Sequence, residues 1–175
     1  MPIAALTLAC MIVAITDGDT LTARCKTSVG LEIMSVRLAE IDAPERGQAF
    51  GARSRQRLAE LCFGKHAEVA AQTKDRYHRT VARVSCDGED ASTELVRSGM
   101  AWVFDRYVTD RSLYTIQEEA RSAGRGLWTD PSPGATMGVA QSEAVSAALV
   151  RRCTADVVAR RADLALTPLE ARAGR

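Results

Sequence analysis

Hydrophobic and polar residues alternate along several short stretches in the first half of the chain, which is the pattern of half-buried β-strands. In residues 31–41, for example, Leu31 and Ile33 fall on one face while Val36 and Leu38 fall on the other. The same pattern, bounded by turn-forming residues, predicts five strands: residues 10–15, 20–25, 31–41, 66–72 and 79–86.

Other stretches repeat their apolar residues every three or four positions, as one face of an α-helix does. They predict a helix over residues 48–62, a second over residues 91–98 with Asp90 as its N-cap, and a third further on. The apolar face of the third consists of Leu113, Ile116, Ala120, Ala123 and Leu127. Five strands with one helix between the third and fourth predict a mainly β, α+β fold: a closed Greek-key barrel with three packed helices.

The composition divides the chain into a domain and two flanking segments. Residues 131–175 begin with Pro131-Ser132-Pro133-Gly134 and contain eleven Ala, six Arg and no aromatic residue, so we expect a flexible tail there. Residues 1–9 are apolar, and we interpret them as the remnant of an export signal or an N-terminal extension. Residues 10–130 are the predicted domain.

The overall charge places a limit on how a polyanion could bind. The 175 residues carry a net charge of +1, and the 17 basic and 18 acidic residues of segment 1–130 give it a net charge of −1. A bulk electrostatic attraction to nucleic acid is therefore excluded, and any polyanion must be held by locally placed arginines. No apolar run approaches the roughly 20 residues that a membrane-spanning helix needs.

The cysteines are five in number, so at most two disulfides can form. Cys10 and Cys25 are equally distant from the dipeptide Asp17-Gly18, and a two-residue hairpin turn there would place them opposite each other, close enough to bridge. Cys62 and Cys86 would then form the second disulfide, and Cys153 would remain unpaired. The alternative is that all five are small buried residues of a protein from a reducing cytosol.

Carboxylates and arginines are concentrated at the ends of the predicted strands. Asp17 and Asp19 lie in the first turn, and Arg37 precedes Asp42 by five positions at the end of the third strand. Each motif alone is weak, because Asp and Gly are favoured in any tight turn and surface ion pairs contribute little. The order in which the motifs occur is more informative.

Three motifs follow one another: DGDT, then R-x-x-x-x-D-A-P-E, then D-R-Y-H-R. A Gly-Met-Ala-Trp segment and a helix that ends near a tryptophan come after them. This ordered set resembles the staphylococcal nuclease (thermonuclease) family over residues 10–130. The resemblance implies a five-stranded OB-fold barrel with three helices and a calcium-dependent phosphodiesterase activity on DNA and RNA.

The resemblance also implies a metal site. Asp19 and Asp42 correspond to the calcium-binding carboxylates, the main-chain carbonyl of Ala43 to a further ligand, and Asp17 to a supporting aspartate. Calcium prefers six to eight oxygen ligands, so a site with few protein ligands leaves room for water and a phosphate.

The remaining residue roles are likewise implied by the resemblance. Arg37 and Arg79 correspond to the two phosphate-binding arginines, and Glu45 to the proposed general base. Arg76 and Tyr77 correspond to residues that contact a terminal phosphate of the substrate, and Tyr107 corresponds to a tyrosine beside the base pocket. Two departures concern Asp105, which stands where a second base-pocket tyrosine is expected, and His78, which occupies a turn position where the family often has glycine.

A nuclease is one of three functions that these residues allow. The second is a non-catalytic module that binds nucleic acid or protein, and the third is a phosphodiesterase for small nucleotides. The presence of all the acidic and arginine positions favours an enzyme. We expect a monomer that acts on DNA and RNA, and two disulfides would indicate a periplasmic or secreted protein.

Overall fold

Five strands close into a barrel in the computed structural model of the protein, which describes residues 6–130. Eight strands are present in this part of the chain: β1 Leu6–Ile15, β2 Thr20–Thr27, β3 Gly30–Leu38, β4 Ile41–Asp42, β5 His66–Lys74, β6 Thr80–Cys86, β7 Glu89–Asp90 and β8 Trp102–Val103. The barrel strands pair in the order β3-β2-β1-β5-β6, and a parallel pairing of β3 with β6, from Val36 opposite Thr80 to Leu38 opposite Ala82, closes the ring. The predicted α+β barrel is confirmed.

Three helices pack on the barrel: α1 Gly51–Cys62, α2 Ala91–Arg97 and α3 Ser112–Ser122, followed by a 3₁₀ turn over Gly126–Thr129. Their buried positions follow the expected apolar faces, with Leu58 in α1, Leu95 in α2 and Leu113 in α3 all fully buried. The Asp90 carboxylate caps α2 by accepting a hydrogen bond from the Thr93 amide (2.8 Å). None of these helices has the length and apolar character needed to cross a bilayer.

The two largest differences from the predicted strand boundaries concern β1 and β3, while the other strands differ by one or two residues at an end. β1 begins at Leu6 and pairs with Ala71 of β5 there, so residues 6–9 belong to the sheet and not to a separate N-terminal segment. β3 ends at Leu38 because Glu40 adopts a left-handed backbone conformation (φ 70°), which breaks the strand before Ile41.

The third helix is also shorter than its apolar spacing predicted. It ends at Ser122, and Gly124 (φ 59°) reverses the chain. Leu127 is buried, but it reaches the core from the 3₁₀ turn, while Ala123 is exposed. The spacing continued across the helix end because both segments pack on the same core.

Both expected disulfides are present, Cys10–Cys25 and Cys62–Cys86. The prediction of a two-residue turn, from which the first disulfide was inferred, is wrong. The turn has three residues, 17–19, and is closed by a hydrogen bond from the Thr16 amide to the Thr20 carbonyl (2.9 Å). A β-bulge between Ile12 and Ala14 shifts the register by one residue, and this shift restores the pairing of Cys10 with Cys25.

The predictions for residues 1–5, for Cys153 and for the tail 131–175 fall outside the described residues.

Candidate active site

The turn between β1 and β2 places Asp19 at the mouth of the barrel. Its side chain is buried, and both of its oxygens accept hydrogen bonds. Oδ1 accepts from the Thr20 hydroxyl (2.9 Å), and Oδ2 accepts from the Ala43 amide (3.2 Å). Asp17 braces the turn, because its Oδ1 accepts from the Asp19 amide (3.3 Å).

Arg37, near the end of β3, joins the two predicted metal-binding carboxylates. Its Nη1 lies 2.9 Å from Asp19 Oδ2, and its Nη2 donates to Asp42 Oδ1 at 2.7 Å. Nη1 also donates to the main-chain carbonyls of Leu38 (3.2 Å) and Ile41 (3.1 Å). The guanidinium thus fixes the strand break that carries Asp42.

A network of buried charges supports the same strand break from the other side. The Glu40 side chain is only 2% exposed and pairs with Arg83 Nη1 at 2.8 Å. It also accepts a hydrogen bond from the Thr109 hydroxyl. Arg83 further contacts Asp90 (3.0 Å) and Asp110 (3.3 Å), so it links β6 to the starts of α2 and α3.

Arg79, the second predicted phosphate-binding arginine, is connected to Asp19 by hydrogen bonds through one intervening side chain. Its Nη1 donates to the Thr20 hydroxyl (3.3 Å), which in turn donates to Asp19. Its Nε pairs with Asp75 Oδ2 (2.7 Å), and hydrogen bonds from Arg79 and Tyr77 hold the pKa of Asp75 below its usual value, although desolvation opposes this. His78 adopts φ 62°, as expected for a turn position that favours glycine.

Glu45 differs from the other predicted catalytic residues because its side chain forms no hydrogen bond or ion pair within residues 6–130. The residue is exposed, and its main-chain amide donates to the Gln48 side chain (2.8 Å). Gly51 allows the start of α1 to pass close to it, since a Cβ there would lie 2.0 Å from the Glu45 carbonyl oxygen. The carboxylate is therefore free to meet water.

A cavity of about 650 Å³ adjoins these residues. It is lined by Arg37 and Arg79 and by residues of the β5–β6 and β8–α3 loops. Arg76, Tyr77 and Tyr107, the predicted substrate-binding residues, all line it, and the two tyrosines are 62% and 58% exposed. A concave site with cationic and aromatic walls suits a phosphate-bearing ligand with a flat base.

The carboxyl groups of Asp19 and Asp42 both have raised pKa values. Burial, with smaller contributions from the charges of Asp17 and Asp42, raises the pKa of Asp19 to about 7, although Arg37 and the Thr20 hydrogen bond oppose the shift. Burial also raises the pKa of Asp42, against Arg37 and hydrogen bonds from Asp19 and the Ala43 amide. One guanidinium does not fully compensate the buried Asp19 and the partly exposed Asp42, and a further cation would lower the free energy of the ionised pair.

This charge deficit bears on whether the residues fit a metal. Within residues 6–130, no group of three or more His, Cys, Asp or Glu side chains is arranged to hold a metal ion. Two undercompensated carboxylates, one buried and one partly exposed, fit a hard divalent ion that takes most of its ligands from water and substrate. They do not fit a closed structural site.

Comparison with known proteins identifies the domain. A family described as "Staphylococcal nuclease homologue" has a sequence model that matches residues 35–130. The chain belongs to the staphylococcal nuclease family. The match covers Arg37, Asp42, Glu45 and Arg79, and it ends where the described residues end.

Two relatives of this nuclease-family domain, among others, carry nuclease names. A Haemophilus influenzae protein named "Uncharacterized endonuclease" is 45% identical over 124 residues, which are 71% of this chain and 68% of the relative. The "Micrococcal nuclease" of Shigella flexneri is 42% identical over 132 residues, 69% of this chain and 74% of the relative. These similarities support a nuclease that acts on nucleic acids.

Sequence reasoning did not assign several residues that shape the site of this nuclease-family domain. Thr20 bridges Arg79 to Asp19, and Asp75 orients Arg79, although both lie within the quoted motifs. Arg55, outside the quoted motifs, donates to the Ile15 carbonyl (3.1 Å) and fixes the end of β1. Thr20 and Asp75 could have been found because they lie within the motifs, whereas nothing in the sequence pointed to Arg55.

Gly18 is the basis of the first prediction. A Cβ on Gly18 would lie 2.7 Å from Ser54 Cβ and 2.8 Å from Ala43 Cβ, so Gly18→Ala must displace backbone beside Asp19. We expect a loss of roughly 1–3 kcal/mol in the free energy of unfolding, measured by urea denaturation, as in other overpacked sites. Gly47→Ala is the matched control, because nothing lies within 4 Å of its added Cβ. Equal stability of the two variants would contradict the prediction.

Proposed function

We propose that the protein is a calcium-dependent endonuclease that hydrolyses phosphodiester bonds of DNA and RNA. The observation that carries this proposal is the linked set of Asp42, Arg37, Asp19 and Arg79, joined through Thr20 beside a cationic cavity. Family membership supports nuclease activity, and the linked set supplies a reason for metal dependence.

Asp19, Asp42 and the main-chain carbonyl of Ala43 would hold the ion, with Asp17 supporting the turn. When bound, calcium would polarise a phosphoryl oxygen and orient a water molecule. The surroundings favour a hard divalent ion, because the donors are oxygens and two of them are undercompensated carboxylates.

Arg37 and Arg79 act on the phosphate. Each guanidinium presents forked donors that match two oxygens of the phosphoryl group, where negative charge develops in the transition state. Both are held by carboxylates, Arg37 by Asp19 and Asp42 and Arg79 by Asp75, so their positions are set before substrate arrives.

Glu45 acts on the attacking water. It accepts the proton of that water as the new phosphorus–oxygen bond forms and the bond to the 5′-oxygen breaks. The departing 5′-oxygen takes a proton from solvent water, so the products are a 3′-phosphate and a 5′-hydroxyl. Arg76 and Tyr77 hold a terminal phosphate, and Tyr107 stacks on a base.

The test is cleavage of single-stranded DNA and of RNA with calcium and with a chelator. We expect cleavage of both substrates in millimolar calcium and a loss of cleavage in the chelator. Retained binding without any cleavage would overturn the proposal and identify the protein as a binding module.

The raised pKa of Asp19 predicts the pH dependence of ion binding. A carboxyl with a pKa of about 7 is mostly protonated at pH 5.5, and a proton competes with the ion for the same oxygens. We expect the dissociation constant for calcium, measured by calorimetry, to be at least about tenfold larger at pH 5.5 than at pH 8. An affinity that does not change between these pH values would contradict the prediction.

We also propose that the protein works in an oxidising compartment, the periplasm or the cell exterior. The two disulfides support this location, because such bonds persist where thiols are not kept reduced. Extracellular calcium, at millimolar concentration, would suffice for a site with few protein ligands.

A further inference from the structure

In the cavity beside the candidate active site, two tyrosines each have the preceding arginine next to their ring, and the Arg79 guanidinium carbon also lies 5.4 Å from the Tyr77 ring centroid. In the β5–β6 loop, the Arg76 guanidinium carbon lies 4.7 Å from the centroid of the Tyr77 ring. In the β8–α3 loop, the Arg106 guanidinium carbon lies 5.5 Å from the centroid of the Tyr107 ring. The family motifs assign the first pair, but nothing in them assigns Arg106.

The Tyr107 ring is held in place by its neighbour. Phe104 packs edge-on against it, with ring centroids 5.0 Å apart, and the Tyr107 amide donates to the Phe104 carbonyl (2.9 Å). The Phe104 amide in turn donates to the Glu40 carbonyl (2.8 Å), which ties this loop to the strand break that carries Asp42. Arg106 therefore projects from a loop that is fixed relative to the predicted catalytic residues.

The charge of Arg106 is not compensated by its surroundings. Arg37 and Arg79 are paired with carboxylates, whereas Arg106 has no ion pair or hydrogen bond within residues 6–130. The adjacent carboxylate, Asp105, is used elsewhere, since its Oδ1 accepts from the Tyr114 hydroxyl (2.9 Å). An exposed guanidinium over an exposed ring is available to bind a phosphate while the ring stacks on a base.

We propose that Arg106 binds a backbone phosphate of a single-stranded polynucleotide, next to the nucleotide that Arg76 and Tyr77 hold. This inference rests on the proposed nuclease function and deepens it, because it makes the domain prefer a polymer to a mononucleotide. One arginine–tyrosine pair suffices for a single nucleotide, and the second pair extends the site along the strand. Asp105, in place of a tyrosine, makes the neighbouring phosphate contact the more important part of this second site.

The test compares Arg106→Gln with Arg106→Lys and with Arg121→Gln. Arg121 is the matched control because its guanidinium carbon lies 5.6 Å from the Trp128 ring, outside the cavity, in the same kind of stacked arrangement. The substrates are an oligothymidylate and a small p-nitrophenyl ester of a thymidine nucleotide. The affinity for a fluorescent oligothymidylate is measured separately as a function of salt.

For Arg106→Gln, we expect the ratio of the oligonucleotide KM to the ester KM to rise roughly three- to tenfold. The slope of log affinity against log salt should fall in magnitude by about 0.7, the value for one lost phosphate contact on a single strand. Arg106→Lys keeps the charge and should retain the slope, and Arg121→Gln should match the wild type in both measurements.

Three outcomes would overturn the assignment: an unchanged KM ratio, an equal loss in Arg121→Gln, or a salt slope that stays the same in Arg106→Gln. Failure of the proposed nuclease function is a different result. In that case the wild type cleaves neither substrate, while the salt slope still decides whether Arg106 contacts a phosphate.

Discussion

Glu45→Gln is expected to slow the cleavage of single-stranded DNA by roughly 10²–10⁴-fold, the contribution of a well-placed general base. Glutamine has the shape of glutamate but cannot accept the proton of the attacking water. The Glu45 side chain has no hydrogen bond or ion pair within residues 6–130, so the substitution removes no contact that holds the fold. Single-turnover cleavage at saturating calcium measures the effect on the chemical step.

The matched control is Glu118→Gln, an exposed glutamate on α3. Both variants should keep the wild-type thermal midpoint and calcium affinity. A rate for Glu45→Gln within a few-fold of the wild type would show that another group takes the proton.

Arg83→Met is expected to lower the free energy of unfolding by about 3–5 kcal/mol, because it leaves the buried Glu40 carboxylate without its partner. Arg83 contacts Glu40 at 2.8 Å, and the Glu40 side chain is almost inaccessible to water. The same substitution releases Asp90 and Asp110 at the starts of two helices. Urea denaturation, with the slope checked for two-state behaviour, measures the loss.

Two further variants show whether the loss comes from the unpaired carboxylate. Arg83→Met combined with Glu40→Gly should be more stable than Arg83→Met alone, since glycine removes the charge and suits the φ of 70° at this position. Arg97→Met removes an ion pair with Glu94 on the surface and should change stability by less than about 1 kcal/mol. No recovery in the double variant would contradict this interpretation.

The barrel could be predicted from the sequence because its strands alternate apolar and polar residues at a period that only a half-buried strand explains. β6 is the clearest case, with Thr80, Ala82, Val84 and Cys86 buried in turn. The motif order then placed Asp19, Arg37, Asp42 and Arg79 at strand ends that the closed ring brings together. Their roles remain predictions.

Features that depend on three-dimensional register could not be predicted. The bulge between Ile12 and Ala14 leaves no mark in the hydrophobic pattern, so the pairing of Cys10 with Cys25 was predicted from a turn of the wrong length. Glu40 looked like an ordinary strand residue, because its left-handed backbone and its pairing with Arg83 arise only when β3, β6 and the β8–α3 loop meet. Sequence patterns report local periodicity, whereas such contacts join residues more than 40 positions apart.

The positions of the two disulfides determine when the hairpins that carry the candidate site residues become cross-linked. Cys10–Cys25 closes the hairpin whose tip carries Asp17 and Asp19, and Cys62–Cys86 joins the end of α1 to the base of the β5–β6 hairpin that carries Arg76 and Arg79. Their sequence separations are 15 and 24 residues, and each closure removes about 3 kcal/mol of unfolded-chain entropy in the simplest account. The newly made, reduced chain therefore lacks the two cross-links beside the hairpins that carry the candidate site residues. If the protein works in the oxidising compartment proposed above, oxidation would add these cross-links only after the chain has left the compartment that holds the producing cell's own nucleic acids.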